Sequence, residues 1–379
     1  MKCIGIDAIT GTAIEITGSA VIDGVDHLIN PPEDLAYVAP GFIDVQVNGF
    51  AGVDYCSPTA PQDAIAASIR EQYKTGVTRF FPTVITGTRE GMLGAIRNLA
   101  KAKESLAEGA AMEGFHIEGP HISPEDGPRG AHPQHCVRAP DVDEFRRWQE
   151  AADGAVRLVT VSPEWPEAPA YIETLVREGV VVSIGHTKAE AGQIEAAVSA
   201  GATMSTHMGN GAHSVMARHP NYIWEQLAQD RLAASFIVDG IHLGSAFLKV
   251  ALRAKGVERS VLVTDAVMPA GCEPGPYMLG EVEVELHSDG SVRLRGGTRL
   301  AGSALTMDRA VSNVMRMAGL SLRDALTMAT INPARVCKVG SRRRGIAVGE
   351  RADLVMFRIE NGDVRVLETW VSGERVHVN

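Results

Sequence analysis

Val181-Val-Ser-Ile-Gly-His186-Thr187 and Ala202-Thr-Met-Ser-Thr-His207 are short apolar runs, each with a histidine near its end. The two histidines stand 21 residues apart, and Lys188 to Ser199 between them reads as one helix. A strand, a crossover helix and a second parallel strand bring both imidazoles to the same end of a sheet. Gly114-Phe-His-Ile-Glu118 has the same form and ends on a carboxylate, as does Val261-Leu-Val-Thr-Asp265.

The same alternation extends outward from this pair. From Pro40-Gly-Phe-Ile-Asp-Val-Gln-Val-Asn-Gly49 onward, helix-like stretches (62–76, 89–108, 143–152, 168–179, 244–255) follow strand-like runs (79–85, 114–118, 156–161, 233–238). Pro82 is an irregularity within its run. That makes about eight βα units, which predicts a parallel sheet closed into a (β/α)8 TIM-like barrel over 40–343. An open, doubly wound sheet is the alternative. Residues 277–302 read as a β-hairpin insertion turning at Ser288-Asp-Gly290, with helices resuming at 306–317 and 321–330. Residues 1–39 and 344–379 carry short alternating runs, so both chain ends are expected to build one small β-sandwich domain.

Composition removes several classes of function. The 379 residues are 45% hydrophobic and 22% charged, enough for a large core. No run approaches the ~18 unbroken apolar residues of a membrane span. Net charge is −10 with no basic cluster, which argues against nucleic acid. Five scattered cysteines without a CxxC pair read as reduced thiols. The N-terminus has an early Asp7 and no long apolar stretch, so a cytoplasmic protein is expected.

Catalytic zinc takes three protein ligands drawn from His and carboxylate, plus water. Glu118, His186 and His207 make such a set. Asp265 is a candidate to accept a proton and pass it to a leaving amine, and His242 a candidate to polarise a carbonyl. Each residue alone has a plainer reading: a hydrogen-bonded loop histidine, a turn carboxylate, a helix N-cap at Asp265. Their joint placement at strand ends favours a metal-hydrolase site.

Beyond this, Pro40-Gly-Phe-Ile-Asp44, Phe81-Pro-Thr-Val-Ile-Thr86, His116-Ile-Glu-Gly-Pro120, Arg129-Gly-Ala-His132, Gly185-His-Thr187, Thr206-His207, Ala301-Gly-Ser-Ala-Leu-Thr306 and Asn332-Pro-Ala-Arg335 resemble the motifs of the N-acetylglucosamine-6-phosphate deacetylases of the amidohydrolase superfamily. The resemblance spans essentially the whole chain. It implies Glu118, His186 and His207 as metal ligands, Asp265 as general acid/base and His242 as a contact near the carbonyl. It further implies that His132, Asn210 and Gly211 line the sugar pocket. Most amidohydrolases carry a His-x-His pair where this chain has Gln46 and Asn48, which implies one divalent metal ion per chain, zinc by preference. The family commonly runs Thr-His-Leu-x-Asn-Ala-Met after the second histidine, whereas Thr206-His-Met-Gly-Asn-Gly-Ala-His-Ser-Val-Met-Ala-Arg-His-Pro-Asn221 departs from it. His213, Arg218 and His219 in that segment are expected to cradle the sugar phosphate.

The expected reaction is hydrolysis of an N-acetylated amino sugar, N-acetylglucosamine 6-phosphate first, by a cytoplasmic homodimer. The alternatives are an amidohydrolase on another N-acyl or cyclic amide, such as an unphosphorylated N-acetyl sugar, or a silent barrel scaffold.

Overall fold

The computed structural model describes residues 1–280, 282–340 and 344–379. Its centre is an eight-stranded parallel sheet. In chain order the strands are β1 (Phe42–Val47), β2 (Val77–Ile85), β3 (Phe115–Glu118), β4 (Val156–Val161), β5 (Val181–Ile184), β6 (Met204–Ser205), β7 (Ala233–Ile237) and β8 (Ser260–Val263). Neighbours in sequence are neighbours in the sheet. The cylinder closes between β1 and β8: Val47 bridges Ala266, and Asp265 N donates to Gln46 O at 3.0 Å. Helices cover the outside, so these strands are buried on both faces and read as near-continuous apolar runs. All six residues of β1 and all four of β8 are buried. Pro82 does lie within β2, and the β1–β2 register shifts between Asp44 and Val47.

The helices form where their apolar positions recur on one face. Met307–Ala318 buries Met307, Ala310, Val311 and Val314, one stripe at helical spacing. Arg89–Ser105 starts at Thr88, whose side chain accepts from Gly91 N. The helix between the two histidines starts at Ala191, not Lys188, because Lys188 N is held by Glu164 and Ala189 N by Thr187 Oγ1. Two short helices, Tyr222–Ala228 and Ile331–Val336, were not expected from the sequence.

Both chain ends share one seven-stranded sheet, with Tyr37–Pro40 between Lys2–Asp7 and Leu354–Glu360. Its inner residues, among them Cys3, Ile14, Ile16, Val38 and Leu354, form a small core of their own. Asp353 ties this sheet to the barrel. Its carboxylate accepts from Arg79 Nε of β2 and Arg351 Nε at 2.7 Å each, and from Ser372 N at 2.8 Å. The expected domain boundary at 343 lies outside the described residues.

The insertion before residue 303 is larger than a hairpin. Gly275–Leu279, Val282–Leu286, Ser291–Leu294 and Leu300–Ser303 form a four-stranded antiparallel sheet. Its last strand docks on the barrel, with Val267 N donating to Ser303 O at 3.0 Å and Ser303 N to Asp265 O at 3.2 Å. No helix among the described residues is long and apolar enough to cross a membrane.

Candidate active site

Glu118 closes β3, and His186, His207 and Asp265 each sit two residues past the end of β5, β6 and β8. The last three share one backbone feature, with φ of 48°, 28° and 51°. Left-handed backbone is unfavourable for residues other than glycine and concentrates at functional sites. Here it kinks the chain at the barrel mouth, and the side chains turn inward.

One ligand atom each from Glu118, His186 and His207 lies within 4.8 Å of the others, all three residues being buried. His207 Nε2 is 2.8 Å from Glu118 Oε1 and 3.0 Å from His186 Nε2. His186 Nδ1 donates to Pro128 O at 2.8 Å, so in the neutral ring Nε2 is a bare lone pair. Lone pairs and a carboxylate aimed at one point are the donor set of a divalent cation, and the trio is able to hold one. Burial opposes ionisation of Glu118, but its contacts with the His186 and His207 rings outweigh it and hold the carboxyl well below its ordinary range.

Gln46 Nε2 bridges Glu118 Oε1 (2.9 Å) and Asp265 Oδ1 (3.0 Å), and Asn48 Nδ2 reaches the same Asp265 oxygen at 2.7 Å. Burial and the charge on Glu118 push the Asp265 carboxyl up to about 6. His242 is fixed by Asp239, whose Oδ2 accepts from His242 Nδ1 at 2.6 Å and whose Oδ1 accepts from the Ile241 and His242 amides at 2.8 Å. Burial works against the Asp239 charge, yet the bond to His242 outweighs it and the carboxyl is lowered.

The other expected residues divide into two groups. His132 packs edge-on against His186, ring centroids 4.4 Å apart, with Nδ1 2.8 Å from Thr86 Oγ1. Burial lowers its pKa to about 3, so the ring is neutral. Asn210 and Gly211 line a small cleft with His186, Thr187 and Tyr222, and the buried Asn210 Nδ2 has no partner. Gly211 has a φ of 55°, and a Cβ there would stand 2.7 Å from His186 Nδ1. His213 is drawn away from its expected companions: Nδ1 meets Tyr222 Oη and Nε2 meets Glu125 Oε1, each at 2.9 Å. The Glu125 carboxylate captures it, and neither ring nitrogen is left for an anion. Arg218 and His219 are exposed, without side-chain partners among the described residues.

Sequence reading missed the residues that hold these groups: Pro128, Thr86, Gln46 and Asn48 as donors, and Asp239. Only Asp239, in an Asp-Gly-Ile-His turn, leaves a local signal.

The amidohydrolase family profile matches residues 37–376. An N-acetylglucosamine-6-phosphate deacetylase of Bos taurus is 36% identical, the match covering 89% of this chain and 83% of that protein. One from Bacillus subtilis is 32% identical over 91% of this chain and 85% of its own. The N-acetyl-D-glucosamine-6-phosphate deacetylase of Mycobacterium smegmatis, solved as a mutant with N-acetyl-D-glucosamine-6-phosphate, superposes with a TM-score of 0.89 at 30% identity, covering 99% of both chains. A profile match over nearly the whole chain and relatives above 30% identity lead to one conclusion: the chain belongs to the amidohydrolase family, among the N-acetylglucosamine-6-phosphate deacetylases.

Proposed function

We propose that the chain hydrolyses the acetamide of N-acetylglucosamine 6-phosphate to acetate and glucosamine 6-phosphate. The observation that carries this reading is the convergence of Glu118, His186 and His207, with Asp265 linked to them through Gln46. Residues 40–343 are the catalytic unit, and the trio holds one divalent ion per chain, zinc by its two-nitrogen, one-oxygen donor set. When bound, such an ion supplies Lewis-acid polarisation and brings the pKa of water down from ~15.7 towards ~7.

Asp265 handles the proton. As a carboxylate it accepts one from water while the water oxygen adds to the acetamide carbon. It returns that proton to the nitrogen as the C–N bond breaks. His242, its Nδ1 committed to Asp239, offers Nε2 to the acetamide oxygen; a donor at a developing oxyanion is typically worth ~10²–10³ in rate. Neutral His132, Asn210 Nδ2 and the Gly211 backbone contact the sugar. Arg218 and His219 take the phosphate, with the guanidinium fork matching its oxygens. The enzyme is a cytoplasmic homodimer that closes this exposed segment against its second copy.

A second reading, an N-acetyl sugar without phosphate, has one observation in its favour: His213 is bound to Glu125 and Tyr222, which shortens the expected cradle by one cation. A deacetylation panel separates the two. The 6-phosphate is expected to be preferred over free N-acetylglucosamine and over the galacto epimer. Arg218→Ala is expected to raise KM for the phosphorylated sugar alone, and equal turnover of both sugars by wild type overturns the leading reading.

A further inference from the structure

Gln46 and Asn48 stand where many relatives of this fold carry histidines, yet here they have partners of their own. Both amide nitrogens reach a single oxygen, Asp265 Oδ1, at 3.0 and 2.7 Å, and Gln46 Nε2 also reaches Glu118 Oε1 at 2.9 Å. An amide nitrogen has two hydrogens and no free lone pair, so the amides donate and the carboxylates accept. These are the only side-chain hydrogen bonds to Asp265 among the described residues. The unused end of the Asn48 amide, Oδ1, is buried without a partner, so the site draws on the donor alone.

The clamp is mounted on a stiff base. Asp265 N donates to Gln46 O at 3.0 Å, Asn48 N donates to Ala266 O at 2.7 Å, and Val47 bridges Ala266 where the cylinder closes. Donors and acceptor therefore sit on two strand ends already locked in register. Asp265 itself has left-handed backbone, from which the carboxyl needs support to hold one direction. Two donors on Oδ1 fix the plane of the carboxyl and leave Oδ2 outside the clamp. Being neutral, they aim the group without placing a positive charge on it.

We propose that Asn48 and Gln46 are positioning residues that hold Asp265 by Oδ1, so that Oδ2 is the oxygen that takes the proton from water and returns it to the departing nitrogen. This rests on the reading of Asp265 as the proton carrier. Gln46 has a second task, steadying the Glu118 carboxylate among the ligands; the Asn48 side chain hydrogen-bonds only Asp265 among the described residues and is the clean probe.

The test is a double-mutant cycle on the metal-loaded enzyme. Asn48→Ala is expected to lower kcat ~10–100-fold, with KM little changed and the metal content of wild type, because small misplacements of a reacting group cost about that much. In an Asp265→Asn background the same substitution is expected to change the residual kcat less than ~2-fold, since the loss runs through Asp265 and the effects of a coupled pair do not add. Asn48→Leu, of nearly the same shape, is measured beside it and stands in if the alanine variant does not fold. Gln46→Leu is expected in addition to weaken metal affinity ~10–100-fold in chelator competition, a readout independent of turnover. An equal loss from Asn48→Ala in both backgrounds, or no loss in either, overturns the clamp while a silent Asp265→Asn leaves the proton carrier standing. Full turnover by Asp265→Asn overturns both.

Discussion

Nδ1 of His186 donates to the carbonyl oxygen of Pro128 at 2.8 Å, so a backbone group in the loop after β3 decides which nitrogen of a histidine after β5 is free. Gly211 lies against the same ring. A methyl group there stands 2.7 Å from Nδ1 on a backbone with φ of 55°, so the ring must leave its carbonyl. Gly211→Ala should fold and lose metal affinity by ~10–100-fold, as displaced supports of metal ligands do. Chelator competition measures it, and an unchanged dissociation constant refutes the role of the Pro128 contact.

Asp265→Asn keeps the shape of the side chain and an oxygen for the Gln46 and Asn48 donors, but removes the group that carries a proton. Its melting curve and metal content should match wild type while kcat falls ~10²–10⁴-fold. Turnover near wild type would remove Asp265 from the chemistry.

Metal analysis should find about one tightly held divalent ion per chain, because only one trio of ligands converges among the described residues and amides donate at the neighbouring positions. Replacing Gln46 and Asn48 together by histidine should raise the stoichiometry towards two. A firm two in the wild-type protein contradicts this account.

His121 gives a pH signature to stability. The ring is buried between Trp148 and Tyr171, centroids 5.5 and 5.2 Å away, with Nδ1 on Arg138 O at 3.2 Å and Nε2 unpartnered. Burial lowers its pKa from 6.5 to about 4. The unfolded chain therefore takes up a proton that the native ring refuses. Stability is full above the unfolded value and drains as pH falls towards the folded one, by up to about 3 kcal/mol. His116 and His132 shift in the same direction, so the measurement is a difference. His121→Phe should lose less melting temperature between neutral pH and pH 5 than wild type does, and parallel losses would count against it.

Asp353→Ala strips Arg79 of its fully buried partner at the junction of the barrel and the terminal sheet. Arg79 keeps its Nη1 contacts with Glu113 Oε2 and Gly340 O, 2.9 Å each, so the loss should fall below the ~3–5 kcal/mol typical of a buried charge left wholly unpaired. Denaturant unfolding checks this, and a loss below ~1 kcal/mol would show the junction to be well solvated.

The sequence disclosed what periodicity and strand-end position can disclose. Apolar runs at regular spacing mark the eight strands, and polar residues just past them mark the barrel mouth. The supports were hidden because they come from distant chain: nothing near His186 announces that a carbonyl 58 residues upstream will orient it. The insertion hid for another reason. Its last strand, Leu300–Ser303, is a short edge strand whose partners only the fold supplies. Tyr222–Ala228, a helix of seven residues, was too short for a period to emerge, although Asn221, which accepts from the Ile223 and Trp224 amides, is a readable cap.

The kinked backbone at His186, His207 and Asp265 asks for two things that seldom coincide in one amino acid: tolerance of a left-handed turn and a reactive side chain. Glycine satisfies the first and forfeits the second; most other residues do neither. Once selection on turnover lapsed in a gene copy, relief of strain alone would reward glycine or asparagine at these three places. Decay of such an enzyme should thus leave a recognisable scar, with strand ends softened first and the barrel behind them intact.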